Sequence, residues 1–200
     1  MKNKKQYTQF LITLLFTVFF AISCKAQSNV INITEHCNNT TLSDTNGELY
    51  LKDINNLYAN YIGTWKWQDG NREFILTLIK QTKFHYNEGI DNFYRDRIVG
   101  YYIYKENNVE LINTSTDNLN DDYGVKVNFN LDCYSVLTGN LYDMPKNKVY
   151  DSWFEIISPT QIRYKGKERE YIRFIKEGKP APAPVYYGTS FPLDMVLIKQ

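Results

Sequence analysis

Glu35, His36 and Cys37 set three metal-ligating side-chain types side by side. A tetrahedral site needs ligands that converge from separate parts of a chain, and neighbours in sequence cannot converge without partners elsewhere. The other histidine, His85, falls at a strand end near Glu88 and reads as a surface hydrogen-bonding group. Gly188-Thr189-Ser190 lacks the second glycine of a nucleophile elbow. The run Asp117 to Asp122 is dense in oxygen ligands, but Leu119 and Tyr123 break the spacing of a calcium loop. Glu168 and Glu170 alternate with Lys167, Arg169 and Arg173 as ordinary surface charge does. General acid–base or nucleophilic catalysis needs paired carboxylates, an activated nucleophile or a metal. None is assembled here, so neither a catalytic residue nor a metal or other cofactor is expected.

One strand carries a stronger hint of ligand chemistry. Arg95, Arg97, Val99, Tyr101 and Ile103 share a face by the period of two of an extended chain. If that face lines the inside of a barrel, Arg95, Arg97 and Tyr101 could hold a ligand carboxylate. If it faces outward, the two arginines are solvated and Asp96 turns inward or pairs. Both faces carry polar and apolar residues, so the pattern leaves the choice open. Asp151, Trp153 and Glu155 share a face with the same ambiguity.

The elements that would position these residues are mostly strands. Asp53 can cap a short helix whose Ile54, Leu57, Tyr58 and Tyr61 lie on one face, and Gly63 ends it. Strands follow: Trp65 and Trp67 alternate with Thr64 and Lys66, and Asp69-Gly70 signals a hairpin. Phe74, Leu76 and Leu78 line a second strand, and a long one runs from Phe93 to Lys105. Asn107-Asn108 turns the chain into Val109–Asn113, and Val125, Val127 and Phe129 alternate with polar residues. Ser135–Tyr142, Val149–Ile157, Gln161–Lys165, Glu170–Ile175 and Asp194–Lys199 continue the series. Pro180, Pro182 and Pro184 mark a loop that cannot join a ladder. About ten short strands with hairpin links specify an all-β antiparallel sheet, closed as a barrel and preceded by one short helix.

The first residues read as an address. Lys2, Lys4 and Lys5, an apolar run from Phe10 to Ile22, and Ser23-Cys24 have the layout of an export signal. The apolar run is shorter than the ~20 residues that span a bilayer. Cleavage before Cys24 would give a lipoprotein acylated on that thiol; cleavage after Ala26 would give a freely soluble product. The expected organisation is a signal peptide over 1–23, a flexible tether over 24–50 and a single barrel domain over 51–200. The expected location is a bacterial cell envelope, anchored through Cys24, with a periplasmic or secreted form as the alternative.

Without the three lysines of the signal, 20 basic residues face 22 acidic ones. That balance argues against nucleic acid or an anionic surface as the main partner. Cys37 and Cys133 remain in an oxidising compartment, where a bridge between them would close a loop of about 97 residues. Two separate thiols are the alternative.

Tyr61-Ile62-Gly63-Thr64-Trp65 resembles the entry of a lipocalin-like (calycin) barrel, where a short helix leads into Gly-x-Trp on the first strand. The resemblance implies that Trp65 plugs a closed end, that Trp67 lies beside it, and that an arginine from a late strand, Arg163 or Arg173, packs over it. The whole chain is also similar to a family of uncharacterised envelope proteins, domain of unknown function 6705, associated with Bacteroidota. That likeness rests on Ser23 to Gln27, Tyr50 to Asp53, Gly63 to Trp67 and Pro192 to Gln200. It implies a single exported β domain and no particular activity. The leading expectation is a non-enzymatic envelope protein whose barrel binds a small apolar or amphipathic ligand. The alternative is a filled barrel that acts through its outer surface.

Overall fold

A meander of antiparallel strands closes on itself because each hairpin returns the chain beside the strand it has just left. The computed structural model describes residues 29–36, 42–121, 124–132, 134–169 and 183–200. Within them lie β1 (Asn29–Asn32), β2 (Leu49–Lys52), a single-turn 3-10 helix (Leu57–Asn60), β3 (Gly63–Asp69), β4 (Arg72–Tyr86) and β5 (Phe93–Glu106). Then come β6 (Val109–Asn113), β7 (Val127–Leu131), β8 (Leu137–Asp143), β9 (Lys148–Ser158), β10 (Gln161–Glu168) and β11 (Asp194–Lys199). Eight of these, β3, β4, β5 and β7 to β11, form a closed antiparallel ring, with β11 pairing back onto β3. The all-β antiparallel barrel expected from the alternating pattern is therefore present.

The turns follow their residues. Gly70 has φ +59°, and Asn107 and Asn108 have φ of 52° and 61°, the left-handed pair that a tight hairpin needs. Inward positions of each barrel strand are apolar: Phe74, Leu76 and Leu78 on β4, Val127, Phe129 and Leu131 on β7, and Met195 and Leu197 on β11 are all buried.

β5 is long enough to serve three neighbours along one edge. It pairs in parallel with β2 at Tyr94 and Arg95, and antiparallel with β7 from Ile98 to Gly100 and with β6 from Ile103 onward. β4 and β5 thus run past the barrel wall as a two-stranded ribbon, and β1 and β2 extend it.

Two expectations need correction. The described residues of the segment read as a flexible tether, 29–36 and 42–50, are not free: β1 and β2 pair in register, and Ile33, Leu49 and Tyr50 are buried. Their short apolar triplets, diluted by Asn and Thr, hide a strand period. The helix is one 3-10 turn rather than an apolar-faced α-helix, and Ile54 is exposed. Asp53 does cap it: its carboxylate accepts the N–H groups of Leu57 (2.7 Å) and Tyr58 (3.1 Å). Asn56, at φ 53°, turns the chain left-handed just before the helix, which prevents an α-helical path from Ile54.

Cys24, Cys37, Cys133, Arg173, the residues of the expected signal and the strand expected over Glu170–Ile175 lie outside the described residues.

Candidate functional site

Among the described residues, large apolar side chains pack against one another across the barrel interior. Phe74 stacks on Tyr102 at 5.2 Å and lies 6.5 Å from Tyr164, while Phe154 contacts Phe129 at 4.9 Å and Tyr164 at 5.5 Å. The buried hydroxyls have partners: Tyr102 donates to the Tyr142 carbonyl (2.5 Å), and Tyr164 lies 3.2 Å from the Ser152 hydroxyl. Burial raises the pKa of Tyr58, Tyr102, Tyr150 and Tyr164 well above the ordinary phenol value, because a phenolate here would lose its water. For Tyr150 the Asp143 charge adds to the rise.

Each end of the ring has its own stopper. At the end where the helix enters, Trp65 is fully buried and its Nε1–H donates to the Tyr61 carbonyl (2.7 Å). Gly63 stands at φ +126°, a conformation L side chains rarely adopt, and a Cβ there would meet Lys199 Cε at 3.2 Å. The cation over Trp65 is Lys199, with Nζ 5.1 Å from the ring. Arg163 is not the expected arginine. It pairs with Asp194 on the surface, through Nε (2.8 Å) and Nη2 (2.7 Å), because its side of β10 faces outward. Trp67 is half-buried one step further along β3, with the Arg72 guanidinium 5.4 Å from its ring. Replacing Lys199 with Met keeps most of the covering volume and removes the charge, so Lys199→Met should cost about 0.5–1 kcal/mol. Urea unfolding followed by tryptophan fluorescence checks this; an unchanged midpoint would remove the ion–ring contact from the account.

At the opposite end the chain before β11 folds over the mouth. Phe191 is 2% exposed and touches Phe74 (5.2 Å), Tyr102 (5.3 Å) and Tyr150 (5.8 Å). Asp143, fully buried, fixes this segment by accepting from Ser190 N–H (2.7 Å), Ser190 Oγ (2.6 Å) and Tyr150 OH (2.9 Å). Lys148 Nζ donates to the Gly188 carbonyl (3.1 Å) and pairs with Glu168 (2.8 Å). Ser190 is thus a structural tie. Sequence reasoning missed Asp143 and Phe191, since an Asp ending a strand and a Phe before Pro192 carry no local signal of burial.

The face of Arg95, Arg97 and Tyr101 is not the barrel interior; the inward residues of β5 are Ile98, Tyr102 and Tyr104. The three expected pocket residues are not brought together. Arg97 is fully buried, stacked over Phe84 at 3.3 Å, and donates to Gln81 Oε1 (2.8 Å) and to the carbonyls of Leu119 (3.0 Å) and Asp121 (2.8 Å). The loop read as solvated therefore lends two of its carbonyls to a buried guanidinium. Tyr101 is half-buried further along the strand. Asp96 turns inward and pairs, as the outward reading of the arginines required: it accepts from Tyr50 OH (2.7 Å) and the N–H groups of Lys83 (2.8 Å) and Asp53 (3.1 Å). This network fastens β2 and the helix to the ribbon.

Arg95 reaches a cavity. A half-open space of about 360 Å³ is lined by His36, Leu42, Asp44, Leu49, Leu51, Phe93 and Arg95. It lies against the β2 extension rather than within the ring. Leu51 and Arg95 are register partners, so Leu49, Leu51, Phe93 and Arg95 share one side of the ribbon. Arg95 Nη2 donates to the Leu131 carbonyl (3.2 Å), while its buried Nε has no partner among the described residues. The two histidines do other work: His36 Nδ1 is 2.7 Å from the Ile33 carbonyl, and His85 stacks on Tyr94 and bonds Asn92. Among the described residues, no three His, Cys, Asp or Glu side chains converge as metal ligands.

A closed up-and-down ring, stoppered at both ends around an aromatic core, defines an antiparallel β-barrel protein with a side cavity on its edge extension. The chain belongs to the family of unknown function DUF6705, whose family model matches residues 5–200. No curated protein and no solved structure matches it.

Proposed function

We propose that the chain is an exported, lipid-anchored envelope protein without enzymatic activity, whose barrel is a filled scaffold and whose work is done outside the ring. The observation that carries this reading is the packed interior. Trp65, Phe74, Tyr102, Phe129 and Tyr164 are large and fully buried in the core, where a ligand-carrying barrel leaves room. The lipocalin-like likeness of the Gly63-Thr64-Trp65 entry then concerns architecture, not cargo.

Export and anchoring rest on the layout of Lys2 to Cys24. β1 begins at Asn29, five residues after Cys24, and five residues extend at most about 18 Å. A lipid on Cys24 would hold the β1–β2 edge close to a bilayer rather than on a long leash. Each buried methylene adds about 0.8 kcal/mol, so several acyl chains suffice for a stable anchor. Growth with labelled palmitate should label the wild type and not Cys24→Ala; an unlabelled wild type would make the protein a secreted one.

A further inference from the structure

We propose that the cavity beside Arg95 binds a small amphipathic carboxylate, with its apolar part against Leu42, Leu49, Leu51 and Phe93 and its carboxylate on the Arg95 guanidinium. This deepens the reading that the protein works outside its ring, and its failure would leave the filled barrel and the lipid anchor standing.

Three observations converge on it. The space, about 360 Å³, is at the small end of ligand pockets, which suits one medium-length chain or ring system rather than a phospholipid. Four of its lining residues, Leu42, Leu49, Leu51 and Phe93, are apolar; the strand register places Leu49, Leu51 and Phe93 on the Arg95 side of the ribbon, and Leu49 and Leu51 are each 4% exposed. Arg95 is half-buried, has no carboxylate within 4.0 Å among the described residues, and leaves a buried Nε–H unmatched. Removing such a cation from water is costly until an anion meets it, and the planar guanidinium fork matches a carboxylate. By contrast, Arg97 donates from Nε to Gln81 Oε1, from Nη1 to the Tyr86 hydroxyl (3.4 Å) and from Nη2 to two carbonyls, so the same strand shows what a purely structural arginine looks like.

The polar rim sets the orientation. Asp44 is exposed, and its backbone carbonyl accepts from Asn92 N–H (2.7 Å). Its negative charge disfavours an anion on that side of the lining; of the two nitrogen-bearing side chains there, His36 and Arg95, Arg95 offers the planar fork that fits a carboxylate. An amine would be drawn to Asp44 instead, which makes ligand charge the decisive variable.

Calorimetric titration of the mature protein with octanoate, octanol and octylamine separates these cases. Octanoate should bind saturably, with octanol at least about tenfold weaker and octylamine weaker still. Arg95→Met should reduce octanoate affinity to the level of octanol, and Arg95→Lys, which keeps the charge and loses the fork, should fall between. Should Arg95→Met not fold, the Lys variant and methyl shifts of Leu42, Leu49 and Leu51 during the octanoate titration carry the test. Equal or tighter binding of octanol or octylamine, absence of saturable octanoate binding, or shifts confined to other residues would overturn the proposal.

Discussion

Phe191→Ala is expected to lower the unfolding free energy by about 3–5 kcal/mol, the cost of removing a phenyl ring from a close-packed core that relaxes only in part. The site cannot collapse easily, because Phe74, Tyr102 and Tyr150 are themselves fixed by strand backbones and by hydrogen bonds to Tyr142 and Asp143. For a domain whose net stability is of order 5–15 kcal/mol, that is a large fraction. Phe191→Leu, which retains most of the apolar volume, should cost markedly less. Guanidinium unfolding of the two variants measures the difference. A loss below about 1 kcal/mol for the alanine variant would mean that the segment before β11 lies on the mouth without plugging it.

The second large effect is an alkaline unfolding transition. Tyr50, Tyr58, Tyr102, Tyr150 and Tyr164 all have folded-state pKa values raised above the ordinary phenol value, with burial as the main cause. In the unfolded chain they ionise near pH 10. A raised folded pKa means that the stabilisation is complete below pH 10 and is lost as pH rises from the unfolded toward the folded value. Each protected tyrosine removes about 1.4 kcal/mol per pH unit over that window, so five together remove about 7. The fold should fail cooperatively between about pH 10 and 12. The protected set should appear in the tyrosinate absorbance only as the β-sheet circular dichroism disappears. A single absorbance phase with the circular dichroism intact would contradict the dry interior.

How far the sequence reveals this molecule can be judged residue by residue. Phe74, Leu76 and Leu78, Asn107-Asn108 and the strand Asp194–Lys199 were legible because a half-buried strand and a left-handed turn each leave a local pattern. The place of Gly63 and Trp65 at the start of the first ring strand, just after the short helix, was legible too. Lys199 was not, since its place over Trp65 arises from the return of β11 to β3, a pairing of strands far apart in the sequence. Nor was the division of labour between Arg95 and Arg97. They share a face, and only the neighbours that cover each, the 118–121 loop for one and β2 for the other, make one a buried strut and the other a cavity wall. The strands β1 and β2 were missed because four-residue strands give too few alternations to stand out.

The filled ring is the centre of the account. Its most direct test is carbon-13 NMR of the aromatic and methyl groups during titration with a mixture of long-chain fatty acid, sterol and phospholipid. The expected result is that the signals of Trp65, Phe74, Phe129 and Tyr164 stay where they are while any shifts fall on the β2 side, at Leu49, Leu51 and Phe93. Stoichiometric shifts of the interior rings would contradict it and return the ligand to the inside of the barrel.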